Sequence, residues 1–184
     1  MRTTFMSTIA GLALLAGLAQ PALAGGSLRI ALAQEPTSLD PTSDATASID
    51  AMITNNVLES LTTVDGAGAV QPNLARSWEI SPDGLTYTFH LVEGALFQDG
   101  TAFDAQDVKF TFDRAMAEES TNPSTSIFAP IDAVTVIDPA TVEIRLNRQD
   151  AFFLFNIANG DASIVAPESV DGLSTAPVGT GPFK

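Results

Sequence analysis

DGLTYTFHLVEGALFQDGTAFDAQDV, residues 83–108, carries two unlike periodicities back to back. Tyr87, Phe89 and Leu91 alternate with Thr86, Thr88 and His90, the period-two pattern of a strand with one face on a core and one toward water. Asp83-Gly84 and Asp99-Gly100 are turn pairs on either side. The pattern then changes. Asp104 is a good N-cap, and Asp107 falls at the third helical position, where a carboxylate meets free backbone N–H groups. Val108, Phe112, Ala115 and Met116 follow on one helical face. An antiparallel strand leading into a capped amphipathic helix points to an α+β chain.

The pattern continues outward in both directions. Residues 131–137 and 142–146 read as a hairpin joined by Asp138-Pro139-Ala140-Thr141, with Val142, Ile144 and Leu146 on one face and Glu143 and Arg145 on the other. Asp65-Gly66 and Ser81-Pro82-Asp83-Gly84 mark earlier turns. Ile49, Met52, Ile53, Val57 and Leu61 recur at spacings of three and four, which predicts a helix over residues 45–61. Residues 120–124 have loop composition, and Phe152, Phe153 and Phe155 open a short aromatic helix. One stretch stands apart. Residues 27–33, SLRIALA, read as a buried strand of parallel-sheet character, and no neighbour for it is evident.

Arg2, an apolar core over residues 9–18 and the small-x-small triplet Ala22-Leu23-Ala24 form a secretory signal, with cleavage expected after Ala24. The apolar core is shorter than the roughly 20 residues that a bilayer span needs. The 184 residues hold 22 acidic and 8 basic side chains, a formal net charge of −14. Such a surface argues against nucleic acid and anionic membranes as partners. There is no cysteine, so no disulfide stabilises the chain and none can carry a lipid at Gly25. The expected product is periplasmic and diffuses freely.

Residues that would carry catalysis are scarce. His90, the single histidine, shares a strand face with two threonines, and a general base needs a positioned partner. No Cys/His cluster exists for a transition metal. Asp104 and Asp107 could be a metal pair, but capping accounts for both positions. Trp78 reads as a core or edge anchor. Gly179-Thr180-Gly181 lacks the Lys-Ser/Thr of a phosphate loop. Neither a metal nor any other cofactor is expected, and a binding function is the natural class.

At this point the chain resembles the family 5 extracellular solute-binding proteins, the dipeptide, oligopeptide and nickel-type receptors of ABC importers. The resemblance is carried, in order, by residues 35–41 (EPTSLDP), 56–61 (NVLESL), 72–79 (PNLARSWE), 83–91 (DGLTYTFHL), 97–100 (FQDG), 103–108 (FDAQDV) and 177–183 (PVGTGPF). It implies an α+β part of a two-lobe periplasmic-binding-protein-like II fold, with a mixed or antiparallel sheet and packed helices. Residues 25–48 would begin lobe one, 49–167 would form its extra subdomain, and 168–184 would return to lobe one. The second lobe would lie outside this chain, and the strand at residues 27–33 would find its partners in the fuller fold.

The implied function is delivery of a peptide or other small solute to an inner-membrane permease, by a monomer and without catalysis. Three segments resemble cleft-lining stretches of the family: Asp44, Ala45 and Thr46; the loop around Ser126 and Phe128; and Asn159, Gly160 and Asp161. A receptor for peptide backbone needs main-chain donors and small residues more than special side chains. Each segment reads equally as surface loop without a ligand. A binding or chaperone-like module that feeds no permease, and a non-functional piece of a receptor, are the alternatives.

Overall fold

A computed structural model describes residues 30–184. The signal and cleavage site at residues 1–24 lie outside the described residues, as do positions 27–29 of the expected first strand. The chain divides into two compact units, Met1–Ala31 and Leu32–Lys184. Of the first, only Ile30 and Ala31 are described, and both are irregular. The expected strand is corrected for its described part. Residues 30–33 form no strand, with Ile30 75% and Leu32 41% exposed. No described strand pairs with them, and an extended segment without a ladder leaves its N–H and C=O groups to water.

The second unit begins irregularly and enters α1, Ala47–Ile53. The helix stops eight residues short of the predicted end. Asn55 takes a left-handed conformation at φ 61°, which Asn tolerates and β-branched residues do not. The N–H groups of Val57 and Leu58 turn back onto the Ile53 carbonyl, at 2.9 and 3.1 Å. The spacing of Val57 and Leu61 therefore reports burial, not helix: both are buried, but in a loop that passes between two cores.

Strands β1 (Thr62–Val64) and β2 (Val70–Pro72) form a small hairpin. Strands β3 (Ala75–Ile80), β4 (Thr86–Leu91), β5 (Ile131–Asp138) and β6 (Thr141–Leu146) form the main sheet, in the order β3-β4-β6-β5. All its pairings are antiparallel. Strand β4 buries Tyr87, Phe89 and Leu91 and leaves Thr86, Thr88 and His90 half-exposed, as the alternation requires. Strand β6 buries Val142, Ile144 and Leu146 in the same way. Trp78 of β3 lies partly buried against Phe89, ring centroids 6.3 Å apart.

Helix α2, Ala105–Met116, is held at its start by a reciprocal capping box. The Gln106 N–H donates to the Asp104 carboxylate at 2.7 Å, and the Asp104 N–H donates to Asp107 at 2.8 Å. Val108, Phe112 and Ala115 are buried beside the sheet, so the helix closes the main core. The loop expected after it contains a further helical turn, α3 (Thr125–Phe128), whose Phe128 meets Phe112 edge to face at 5.6 Å. Helix α4 is short, Phe153–Asn156. Phe153 packs on Tyr87 at 4.8 Å, while Phe152 and Phe155 face solvent.

A second, smaller core joins Ile49, Ile53, Val57 and Leu58 to Val165 and Leu173. It meets α2 through Phe110, and the Thr111 hydroxyl accepts the Val165 N–H at 3.0 Å. Residues 177–183 lie in a groove against residues 56–59. The Gly181 and Phe183 N–H groups donate to the carbonyls of Val57 and Asn56, both at 3.0 Å. A Cβ at Gly179 would overlap the Val57 carbonyl, and one at Gly181 would crowd that of Asn56. The two glycines serve close backbone approach. No helix among the described residues is long and apolar enough to cross a membrane.

Candidate functional site

The turn at Asp40 is built by its own carboxylate. Pro41 keeps the preceding residue out of helix, and the Asp40 side chain folds onto the backbone that follows. Its Oδ1 accepts the Thr42 N–H at 2.9 Å and the Thr42 hydroxyl at 2.5 Å, and its Oδ2 accepts the Ser43 hydroxyl at 2.9 Å. The side chain is 6% exposed and needs a counter-charge at that depth. Arg114, from the last turn of α2, supplies it. Its Nη2 stands 3.7 Å from Asp40 Oδ2, and its Nη1 donates to the Thr42 hydroxyl at 2.8 Å.

Arg114 and Thr42 help to line a pocket of about 230 Å3. Thr42, Arg114, Glu119, Asn122 and Asp161 are among its lining residues. Asn122 is buried, and its amide donates to the main-chain carbonyl of Asp161 at 2.8 Å, which ties the loop after α2 to the 3-10 turn Gly160–Ala162. Burial pushes the Asp161 carboxyl above the ordinary carboxylate range. A hydrogen bond from the Ser124 side chain opposes this, and the negative charge of Asp50 adds to it.

The eight residues named from the sequence distribute unevenly around this pocket. Asp161 lines it directly. Asp44 and Thr46 lie just beyond Thr42, and the Asp44 carboxylate is already engaged by the hydroxyls of Thr37 and Thr46, each at 2.5 Å. Those bonds hold its carboxyl below the ordinary value, the Thr37 bond first. Ala45 is exposed beside it. Asn159 and Gly160 border a separate hollow of about 280 Å3 with Asp50, Asn55 and Phe155. Gly160 is there for space, since a Cβ would collide with the side chains of Asp50 and Thr54. Ser126 is exposed on α3. Phe128 is 1% exposed, held in the main core by Phe112, and borders a third hollow between α2 and α3.

Asp40, Thr42, Arg114 and Asn122 were missed from the sequence. Asp-Pro-Thr-Ser is a turn signature that announces the bent backbone around Asp40. Arg114 carried a weaker signal, as a rare cation at the C-terminal end of an acidic chain's best helix. Asn122 had none beyond its loop composition.

Residues 69–184 match the family described as bacterial extracellular solute-binding proteins, family 5 Middle. The chain belongs to that family. A family relative, the glutathione-binding protein GsiB of Salmonella paratyphi A, is 32% identical over 168 residues, covering 89% of this chain and 33% of that protein. Among solved structures, AgaA from A. tumefaciens R10, in complex with agropinic acid, is similar with a TM-score of 0.75 and 29% identity. The similarity covers 82% of this chain and 31% of AgaA. The periplasmic binding protein DppA of Helicobacter pylori, in complex with the peptide STSA, is similar with a TM-score of 0.69 and 31% identity, over 80% of this chain and 34% of that one. The chain thus spans about a third of the length of the relatives it matches. Its antiparallel sheet with packed helices is the α+β architecture of these periplasmic binding proteins.

Proposed function

We propose that this family 5 chain supplies one wall of the ligand cleft in a periplasmic receptor that hands a peptide or peptide-like solute to an ABC importer. The observation that carries the reading is the likeness over 89% of the chain to a glutathione-binding protein, glutathione being a small peptide. The likeness to a structure holding the peptide STSA supports the same class. The polar pocket fits a wall of this kind, because it presents hydroxyl, amide and carboxylate groups on a rigid frame. In this reading, residues 25–48 and 168–184 belong to lobe one and residues 49–167 to its extra subdomain. Asp44, Ala45, Thr46, Ser126, Asn159, Gly160 and Asp161 face the cleft side, with Thr42, Arg114 and Asn122 added to them.

Capture would follow the logic of two-lobe receptors. Ligand settles on one wall, the lobes close, and water is expelled from both sides. The chain performs no chemistry on the solute. It leaves the cell membrane after cleavage at Ala24, works as a monomer without a lipid tether, and docks loaded on the permease.

Uptake tests this reading. A strain lacking the gene should take up a labelled tripeptide pool or glutathione more slowly than its parent, and a plasmid copy should restore the rate. Unchanged uptake of every peptide in the pool, with unchanged growth on peptides as sole nitrogen source, would overturn it.

A further inference from the structure

We infer that Arg114 is a positioning residue: its guanidinium sets residues 40–46 against helix α2 and so fixes that part of the pocket wall before a solute arrives. The inference rests on the reading of this pocket as part of a ligand wall. Residues 32–46 contain neither helix nor strand, so no ladder or helical turn holds them in place. Apart from the start of α1, two polar ties among the described residues join this stretch to the rest of its unit. The Leu39 N–H donates to the Ser174 carbonyl at 3.0 Å, and Arg114 reaches the turn at Asp40. Leu39 also packs on the second core, which leaves Arg114 as the polar tie beyond it.

The arrangement needs a guanidinium. Nη1 donates to the Thr42 hydroxyl at 2.8 Å while Nη2 stands 3.7 Å from Asp40 Oδ2, and the same hydroxyl donates to Asp40 Oδ1 at 2.5 Å. The three side chains close a ring that a planar fork spans and a point charge does not. From there the bonds pass along the chain. The Asp40 carbonyl accepts the N–H groups of Ser43 and Asp44 at 3.3 and 3.2 Å, and the Asp44 carboxylate accepts the N–H of Thr46, the N-cap of α1, at 3.1 Å. At the other end, Arg114 projects from a helix fixed by its capping box and by buried Val108, Phe112 and Ala115. Glu119 and Asp161 line the same pocket, yet among the described residues Asp40 is the one carboxylate within ion-pair distance of Arg114. Removing the guanidinium leaves Asp40 buried without its counter-charge and releases the Thr42 hydroxyl.

The test compares amide hydrogen exchange in the 15N-labelled chain and in two variants. Arg114→Met should speed exchange at Thr42, Asp44 and Thr46 about tenfold, the factor expected of one hydrogen bond to a charged group, and leave Phe89 and Phe112 unchanged. Arg114→Lys keeps a charge for Asp40 but cannot also hold Thr42, so its exchange at those three positions should fall between parent and Arg114→Met. That variant carries the comparison if Arg114→Met folds poorly. Parental exchange at Thr42 and Asp44 in both variants would overturn the positioning role. So would equal acceleration at all five positions, which would mark Arg114 as support for the fold as a whole. A second readout is peptide uptake by the deletion strain carrying each variant on a plasmid, at matched amounts of protein. Arg114→Met should raise the half-saturating peptide concentration about tenfold with the maximal rate unchanged. An unchanged half-saturating concentration would overturn the link between the turn and the solute. A parent copy that restores no uptake would overturn the receptor reading instead, while the exchange comparison judges the turn by itself.

Discussion

Asp107 serves the capping box from a buried position, and the two roles oppose each other. Its carboxylate accepts the Asp104 N–H, but burial pushes its pKa up to about 6, with the charges of Asp104 and Glu168 adding to the rise. The folded protein therefore holds a proton that the unfolded chain, near the ordinary carboxylate value of about 4, gives up. Between pH 4 and 6 the native state binds more protons, so this group's contribution to stability falls as pH rises through that window. Asn at this position keeps an oxygen for the Asp104 N–H and carries no charge. Asp107→Asn should melt higher than the parent at pH 8, with the gap shrinking toward pH 4. An equal gap at both pH values would show that the carboxylate's burial is not what matters. Ser163 makes a second case at this scale. Its hydroxyl is buried without a hydrogen-bond partner. Ser163→Ala should leave stability unchanged or raise it by up to about 1 kcal/mol, since it removes a group that lost its water. A loss above 1 kcal/mol on denaturant unfolding would mean that the hydroxyl has a partner after all.

At the scale of elements, the most legible parts were those with one dominant local cause. Alternation in Tyr87-Thr88-Phe89-His90-Leu91 and the Asp104–Asp107 box both rest on near neighbours, and both are present where the residues put them. Phe112→Ala should cost about 3–5 kcal/mol, because its ring joins α2 to Phe128 within the main core. His90→Ala should cost under about 0.5 kcal/mol, since its pairing with Glu79 at 3.6 Å lies on the open face of the sheet. Equal losses on denaturant unfolding would reverse the assignment of faces. Less legible were elements decided by distant chain. Residues 54–61 keep a helical spacing of apolar side chains, yet Val57 faces one core and Leu61 the other, and the backbone breaks at Asn55 to permit it. The groove that receives residues 177–183 is of the same kind. Gly179→Ala would force the segment off the Val57 carbonyl, with an expected loss of about 1–3 kcal/mol and faster amide exchange at Gly181 and Phe183. Unaltered exchange would show that the segment docks through Gln98 and Thr180 alone.

For the whole molecule, the candidate site could not be assembled from local pattern. Arg114 and Thr42 stand 72 residues apart in the chain, and Asn122 and Asp161 stand 39 apart. The named segments at 44–46 and 159–161 came from the resemblance, which carries long-range information that periodicity lacks, and of their residues Asp161 lines this pocket. The polar residues that line the pocket came from the structure. The chain spans about a third of the relatives' length. Tight binding in a two-lobe receptor comes from burying ligand on both faces, and one wall makes part of the contacts while still bearing the entropy cost of association. Calorimetric titration of the 184-residue chain with glutathione and a mixed peptide pool measures this directly. The account predicts no dissociation constant tighter than about 1 mM, a free energy of roughly −4 kcal/mol. Micromolar or tighter binding would mean that this chain holds a complete ligand site, and would contradict its assignment as one wall of a cleft.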